Sequence, residues 1–324
     1  MKREKKGFLK DYKSKDVLSF LTGEDVISPG TALCPGCTSE LALRFALKIF
    51  GKNTCLFTAP GCGSLMTVGD GINASMKVPS ALCLMTNVPS MMSGAKRYFN
   101  RLGKNINCVA FVGDGTTADV GFQPLSGAAE RGEEIIYICN DNEGYMNTGI
   151  QRSGTTPLHA WTFTSPVGKS WQGKAKVSKN LPLIMLMHGI AYVATASMAF
   201  PKDFAEKVSK AKAVSGGMSY IHMINPCPTG WRSRPELSIE LSRLLVETNY
   251  FPLWEAEGGR IRMTKTIEAP KPIEAFTRLQ GRFEHMNKIG LKKFQEEVDN
   301  RYEQLIHLSK FHKISQPEDH ANEK

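Results

Sequence analysis

Apolar positions along this chain follow two rhythms, and the alternation between them predicts the architecture. Continuous apolar runs of strand length occur at Thr54–Thr58, up to Val112, at Ile135–Cys139, at Ala191–Ala196 and at Ser219–Asn225, most of them closed by Gly, Pro, Asn or Asp. Between them the spacing changes to three and four. Ser39–Ile49 places Leu43, Ala46 and Leu47 on one side and stops at Gly51. Ser90–Arg101 does the same with Met91, Met92, Ala95, Tyr98 and Phe99, and Leu183–His188 and Lys202–Val214 complete the set of predicted helices. Strands that are apolar throughout, rather than alternately, are buried on both faces, so the pattern predicts an α/β fold with a doubly wound, mostly parallel sheet. A strand pair, Phe251–Glu257 with Gly259–Thr264, and helices at Glu274–Arg282 and Leu291–Phe311 follow. The chain divides on this reading into a charged arm at 1–25, a ligand-binding domain at 26–245 and a C-terminal helical extension at 246–324.

Within that pattern, Phe111–Arg152 carries the densest chemistry. One apolar run meets Gly113-Asp114-Gly115 and the next meets Asn140-Asp141-Asn142, with a helix-like segment between. In open α/β sheets, ligands sit at the carboxyl ends of the strands. Asp114 and Asn142 at successive strand ends therefore predict two oxygen arms on one hard cation, most simply Mg²⁺ on a phosphorylated cofactor. Gly, Asp and Asn also dominate ordinary turns, and it is their pairing at neighbouring strand ends that favours a site. Tyr145–Ser153 reads as a loop laid over that cofactor, and Thr155–Lys179 is long enough to be a functional loop.

Charge changes this picture little. The net charge of +10 is concentrated at residues 1–15, where seven basic residues face two acidic ones, and on Lys169, Lys174, Lys176 and Lys179. Lys and Arg are not interleaved with aromatics as in a nucleic-acid groove, so nucleic acid is not expected as a partner. A solvated face is the default, with docking of acidic subunits or a small acidic electron carrier as the functional alternative. The N-terminus has no apolar signal core, and the apolar stretch Leu181–Phe200 is interrupted by Pro182, His188 and Gly189. Neither export nor a membrane span is expected, and the chain reads as cytoplasmic.

Cysteines add more. Eight of them in such a chain imply reduced thiols, metal ligands or core filling rather than disulfides. Cys55, Cys83, Cys108 and Cys139 lie in apolar runs and predict core positions. Cys34, Cys37, Cys62 and Cys227 lie in Gly/Pro-flanked loops, in the words Cys34-Pro-Gly-Cys37, Gly61-Cys62-Gly63 and Pro226-Cys227-Pro228. Four loop cysteines match the ligand count of one [4Fe–4S] cluster; tetrahedral zinc would also take four, although its usual signature is two Cys-x-x-Cys pairs.

Gly113-Asp114-Gly115 with its downstream Asn is similar to the thiamine diphosphate motif. Together with CPGC, PCPTGW and NDNEGYMNTGIQRSGTTP, it resembles the β subunit of the 2-oxoacid:ferredoxin oxidoreductases, nearest the pyruvate branch, from about Thr31 to Trp231 and onward to Leu279–Phe283. The resemblance implies a sheet of the thiamine diphosphate-binding type over 26–245. Asp114, the Asn142 side chain and the Gly144 carbonyl would hold Mg²⁺, Asn147 would lie beside the diphosphate, and Gly113 and Gly115 would admit it. Cys34, Cys37, Cys62 and Cys227 would ligate one [4Fe–4S] cluster, with Cys62 also on the cofactor side. The intervals of 28 residues from Asp114 to Asn142 and 25 from Cys37 to Cys62 suit the family.

The reaction so implied is oxidative decarboxylation of a 2-oxoacid, with pyruvate and coenzyme A giving acetyl-CoA, CO₂ and reduced ferredoxin. The implied partners are α-, γ- and δ-type subunits and ferredoxin. An activating glutamate is implied to come from the α subunit, so neither Glu40 nor Glu143 is assigned that role, and His159, His188 and His222 are read as structural. The stretch Cys62–Asn73 is smaller and more polar than the corresponding loop of pyruvate-type chains. Oxalate, branched-chain and aromatic 2-oxoacids therefore stay open, with coenzyme A dispensable for oxalate. Competing classes are a non-redox thiamine-dependent decarboxylase or synthase, which would not need four loop cysteines, and a zinc-bearing structural subunit.

Overall fold

The computed structural model describes residues 17–30, 32–67 and 76–311. Most of the expected N-terminal arm, the polar tail beyond Phe311 and most of the 67–73 loop lie outside the described residues. Eight strands form one sheet: β1 (Thr54–Thr58), β2 (Ser80–Leu82), β3 (Asn107–Gly113), β4 (Ile136–Asp141), β5 (Tyr192–Ser197), β6 (Ser219–Ile224), β7 (Trp254–Glu257) and β8 (Arg260–Met263). Their order is β2-β1-β3-β4-β6-β5-β7-β8, parallel from β2 through β5 and antiparallel for the last two. The mostly parallel α/β sheet expected from the apolar runs is therefore present. β7 and β8 extend it across the 245/246 division without a break.

The strands are apolar throughout because both faces are covered. On β3, Val109 and Phe111 enter one core with α1 (Ser39–Phe50) and α5 (Pro201–Ala213). Cys108, Ala110 and Val112 enter the other, beneath α2 (Val88–Arg101), α3 (Phe122–Glu130) and α4 (Leu181–Met187). The α1 contribution comes from Ala42, Leu43, Ala46, Leu47 and Phe50, all buried. Burying each large side chain of this set is worth about 1.5–3 kcal/mol, so the amphipathic stripe read from the sequence is what docks the helix.

A third apolar cluster lies over the carboxyl end of the sheet. It joins α6 (Pro228–Trp231), α7 (Ser238–Glu247), α8 (Glu274–Thr277) and α9 (Lys288–Lys310) through Trp231, Leu241, Phe276, Phe283 and Phe294. Its consequence is functional: it brings residues from positions 276 to 298 against the strand ends.

Several details differ from the sequence reading. In α2 the apolar stripe divides: Met92 packs inward, while Met91 and Tyr98 are exposed. The helix expected over Glu274–Arg282 stops at Thr277, because Gly281 sits against Arg232, where a Cβ would come within 2.9 Å of the Arg232 Cβ, and Arg282 turns inward. β2 and α7 carried too weak a pattern to be predicted. Cys83, Cys108 and Cys139 are buried as expected, whereas Cys55 is half-buried, in register opposite Cys108. The basic loop is also less basic at its surface than its composition suggests. Lys174 is buried, donating to the carbonyls of Gly154 and Thr156, and Lys179 pairs with Asp119 at 3.0 Å. No helix among the described residues is long and apolar enough to cross a membrane.

Candidate functional site

Parallel registry puts the chemistry on one edge. Gly113 pairs with Asn140 across β3 and β4, and Asp141 pairs with Ile224 across β4 and β6. The residues that follow each strand, Asp114, Asn142 and Asn225, therefore emerge side by side. Cys62 follows β1 in the same manner, and Cys34 and Cys37 precede α1, which runs back along the sheet. A cavity at this edge is lined by Cys62, Gly113, Asp114, Asn142, Gly144 and Asn147, with Gly115 beside them. It contains every residue expected on the cofactor side, with Asn147 exposed at its rim.

Three oxygens converge at the floor of this cavity. One end of the Asn142 carboxamide lies 2.9 Å from the Gly144 carbonyl and 3.2 Å from an Asp114 carboxylate oxygen. Turned so that its NH₂ faces them, the amide donates to both; turned the other way, three oxygens face one another with no proton between them, and a cation is needed to hold them. Oxygen ligands at 2.0–2.1 Å around an octahedral Mg²⁺ stand about 2.9 Å apart along an edge, against the 2.9 and 3.2 Å found. The turn that aims the Gly144 carbonyl is strained. Glu143 has φ of 64°, a conformation that non-glycine residues adopt only when held there. It is held by four contacts: its N–H donates to Asp141 at 2.7 Å, its carbonyl accepts from Thr156 at 2.7 Å, and its carboxylate meets Arg282 at 2.6 Å and Tyr250 at 2.5 Å.

Asp114 is 1% exposed. Burial, and then the charge of Asp141, push its carboxyl well above the usual carboxylate range. Thr155 Oγ1 sits between the two acids, 2.8 Å from Asp114 Oδ2 and 2.9 Å from Asp141 Oδ1. A hydroxyl has one proton to give, so both contacts are hydrogen bonds only when one carboxyl is itself protonated. A bound dication would instead offset the negative charge that the two acids bring together. Room for an anion is present as well. A Cβ at Gly113 would meet nothing within 4 Å, whereas one at Gly115 would strike the Tyr145 ring at 2.4 Å. Gly113 thus borders open space, and Gly115 lets Tyr145 close over the turn, donating to the Gly115 carbonyl at 3.0 Å.

The cysteines separate into the two predicted groups. Cys34, Cys37, Cys62 and Cys227 come together at the same edge, near enough that each of the other three raises the pKa of Cys62. Burial is the main cause, and the Cys62 thiol stands at about 12; burial likewise lifts Cys227 to about 11. Burial of Cys62 and Cys227 thus disfavours their bare thiolates. Among the described residues no three His, Cys, Asp or Glu side chains are close enough to share a single metal ion. The Gly230 N–H donates to Cys227 Sγ at 3.3 Å, a bond type that tunes iron–sulfur centres.

The remaining acids and histidines are accounted for locally. Glu143 belongs to the Arg282 ion pair, and Glu40 to a part-buried pair with Arg44 on α1. His222 bridges Asp141 Oδ2 and the Tyr220 hydroxyl, both at 2.8 Å. His188 lies between Ser126 and the Ile184 carbonyl, and His159 leaves its Nε2 without a partner. The residues that sequence reasoning missed are Thr155, Asn140, Asn225 and Arg282. Arg282 lay in the Leu279–Phe283 word, Asn140 opened the Asn-Asp-Asn triplet, and Thr155 lay in the same NDNEGYMNTGIQRSGTTP word without being singled out. The substrate-side segment 68–75 lies outside the described residues.

Residues 63–223 match the model of the thiamine pyrophosphate enzyme C-terminal TPP-binding domain. Among curated proteins, the chain is 45% identical over 85% of its length to the NADH-dependent phenylglyoxylate dehydrogenase subunit beta of Aromatoleum evansii, spanning 62% of that protein. It is 45% identical over 87% of its length to pyruvate synthase subunit PorB of Methanothermobacter marburgensis, spanning 98% of it. The ketoisovalerate oxidoreductase subunit VorB of Pyrococcus furiosus is 40% identical over 88% of this chain and 94% of its own. The fold is shared with the 2-oxoglutarate:ferredoxin oxidoreductase of Magnetococcus marinus, with a TM-score of 0.55 and 20% identity over 93% of this chain and 97% of that one.

Proposed function

This chain belongs to the family of 2-oxoacid:ferredoxin oxidoreductase β subunits, and we propose that it is the subunit that holds thiamine diphosphate through Mg²⁺ and carries one [4Fe–4S] cluster. The observation that supports this reading best is the convergence, in one cavity, of the Asp114–Asn142–Gly144 oxygens with Cys62. Thiamine diphosphate supplies a carbanion-stabilising centre for decarboxylation, and the cluster accepts electrons one at a time.

The chain's own residues bind and orient. Asp114 and Asn142 hold the cation, the Glu143 turn aims the Gly144 carbonyl at it, and Gly113 leaves space for the diphosphate with Asn147 at the rim. Cys34, Cys37, Cys62 and Cys227 ligate iron. Tetrahedral zinc is the competing occupant of four thiolates, and the single Cys-x-x-Cys pair of this chain favours the cluster over it. Glu143 is paired with Arg282, and the family resemblance implies that the glutamate that activates the cofactor comes from a partner subunit of α type. Subunits of γ and δ type and ferredoxin complete the electron path, in the cytoplasm.

Pyruvate is the substrate of this reading, with coenzyme A as acceptor and acetyl-CoA, CO₂ and reduced ferredoxin as products. An aromatic or branched-chain 2-oxoacid is the second reading, because relatives named for phenylglyoxylate and for ketoisovalerate are 45% and 40% identical to this chain.

The test is anaerobic purification of the assembled complex, iron and sulfide assay, and a panel of 2-oxoacids with and without coenzyme A. About four irons per chain with matching sulfide are expected, together with coenzyme A-dependent ferredoxin reduction by pyruvate. Zinc without sulfide would sink the cluster, and a preference for benzoylformate or 2-oxoisovalerate would replace pyruvate. Cys227→Ala is expected to abolish ferredoxin reduction while thiamine diphosphate stays bound.

A further inference from the structure

Three of the four cysteines are tied to the cofactor cavity by a closed set of side-chain hydrogen bonds that neither the cluster nor the cofactor requires for its own ligation. Thr38, directly after Cys37, donates its hydroxyl to Asn225 Oδ1 at 2.5 Å. Asn225, two residues before Cys227, donates its amide to Asn140 Oδ1. Asn140, at the end of β4 and two residues before Asn142, donates to Ser39 Oγ at 3.1 Å, and Ser39 returns the set to the start of α1 beside Thr38. Donors and acceptors alternate without conflict around the set, and Ser39 Oγ lies 3.2 Å from Asn140 Oδ1 as well. All four residues are at most 5% exposed. The backbone repeats the tie, since Asn225 N–H donates to the Asp141 carbonyl at 2.7 Å. Asn140 also lines the cavity that Cys62, Asp114 and Asn142 share.

We propose that Asn140 and Asn225, with Thr38 and Ser39, form a clamp that sets the separation between the thiamine cofactor and the iron–sulfur cluster. They are positioning residues: they act through the Cys34-Pro-Gly-Cys37 and Cys227 loops and ligate neither group. Buried polar side chains in a fully satisfied network are rigid, because breaking any one bond leaves a desolvated group unpaired. That rigidity suits electron exchange, which falls steeply with distance. With both groups bound, the clamp would hold them at the separation over which single electrons would pass from the cofactor to the cluster and on to an external acceptor protein. The clamp rests on the functional reading above.

The test uses the anaerobically assembled complex carrying Asn140→Ala, Thr38→Val or Thr38→Ser, and compares cluster reduction by added 2-oxoacid in a single turnover with reduction by dithionite, both followed by the cluster's EPR signal. Asn140→Ala is expected to keep its iron, sulfide and thiamine diphosphate and its dithionite-reduced signal. Its 2-oxoacid-driven reduction should slow severalfold, because electron exchange weakens steeply with each ångström added to the separation. Thr38→Val, which removes one bond of the set, should slow it less, and Thr38→Ser should restore it. Wild-type rates in Asn140→Ala and Thr38→Val overturn the clamp. If Asn140→Ala loses iron or fails to assemble, the Thr38 pair decides: slowing in valine and recovery in serine support the clamp, and equal rates overturn it. A wild-type complex without iron, sulfide or thiamine diphosphate overturns the functional reading and the clamp with it.

Discussion

Two sides of the β4 carboxyl end differ in one respect that separates ligand site from scaffold. On the side of Asp141 and Glu143 each polar group has found a protein partner. Asp141 meets His222 and Thr155, Glu143 meets Arg282 and Tyr250, and the Trp231 indole donates to the Asn142 carbonyl at 2.9 Å. Arg282 is further covered by stacking over Trp231 at 4.0 Å. On the side of Asp114 and the Asn142 carboxamide, one end of the amide faces both the Gly144 carbonyl and an Asp114 oxygen, and the buried Asp114 carboxyl is held well above its usual range. Both regions are buried and both are rich in acids. The first has its own cation, Arg282; the second is where our functional reading puts the bound cation.

The largest effect that can test this contrast is on the satisfied side. Arg282→Ala leaves Glu143 buried and unpaired, and should cost about 3–5 kcal/mol of stability in denaturant unfolding. Adding Glu143→Gln should return part of that loss; a double variant no more stable than Arg282→Ala would show that the pair is not the relevant contact. On the open side the sign reverses. Asp114→Asn removes a carboxylate whose raised pKa makes it unfavourable to the folded apo chain above pH 4, so apo stability should hold or rise. Affinity for thiamine diphosphate and Mg²⁺ should nevertheless fall by about a hundredfold or more, beyond the loss that an outer partner of a metal site causes. Calorimetric titration of the assembled complex would read it, and undiminished affinity would remove Asp114 from the site.

Smaller effects sharpen the boundary between the two sides. Thr155→Val deletes the hydroxyl that Asp114 and Asp141 share, and should cost about 1–3 kcal/mol in the apo chain. The cost should shrink when Mg²⁺ and thiamine diphosphate are bound; an equal cost in both states would place Thr155 with the scaffold alone. The least effect concerns pH. Burial lowers Lys174 from 10.5 to about 8, so between about pH 8 and pH 10.5 the unfolded chain holds the proton that the folded chain has lost. The contribution of this lysine to stability must rise with pH through that window. The melting temperature of the wild type relative to Lys174→Met should therefore increase from pH 8 to pH 10, and a flat difference would contradict the lowered pKa.

Much of this was legible in the sequence because it depends on short-range pattern. Both strand ends that bear Asp114 and Asn142, the α1 stripe from Leu43 to Phe50 and the division of eight cysteines into loop and core groups follow from local spacing and flanking residues. The exposed Met91 and Tyr98 were misjudged because periodicity shows that a face is apolar and not what covers it. Lys174 was misjudged for the converse reason: composition counts a charge without seeing that two carbonyls have taken it inside.

By itself the sequence determined the elements, their alternation and the residue types at each strand end, since apolar period, turn residues and cysteine flanks are properties of neighbours along the chain. The tertiary structure alone decided which of those residues meet. Parallel registry aligned Asp114 with Asn142, packing of the C-terminal aromatics brought Arg282 across 139 residues to Glu143, and the amide chain from Thr38 through Asn225 to Asn140 joined segments 187 residues apart. Hydrogen bonds and ion pairs over such separations are set by how the whole sheet and its covering helices pack, and no local pattern encodes them.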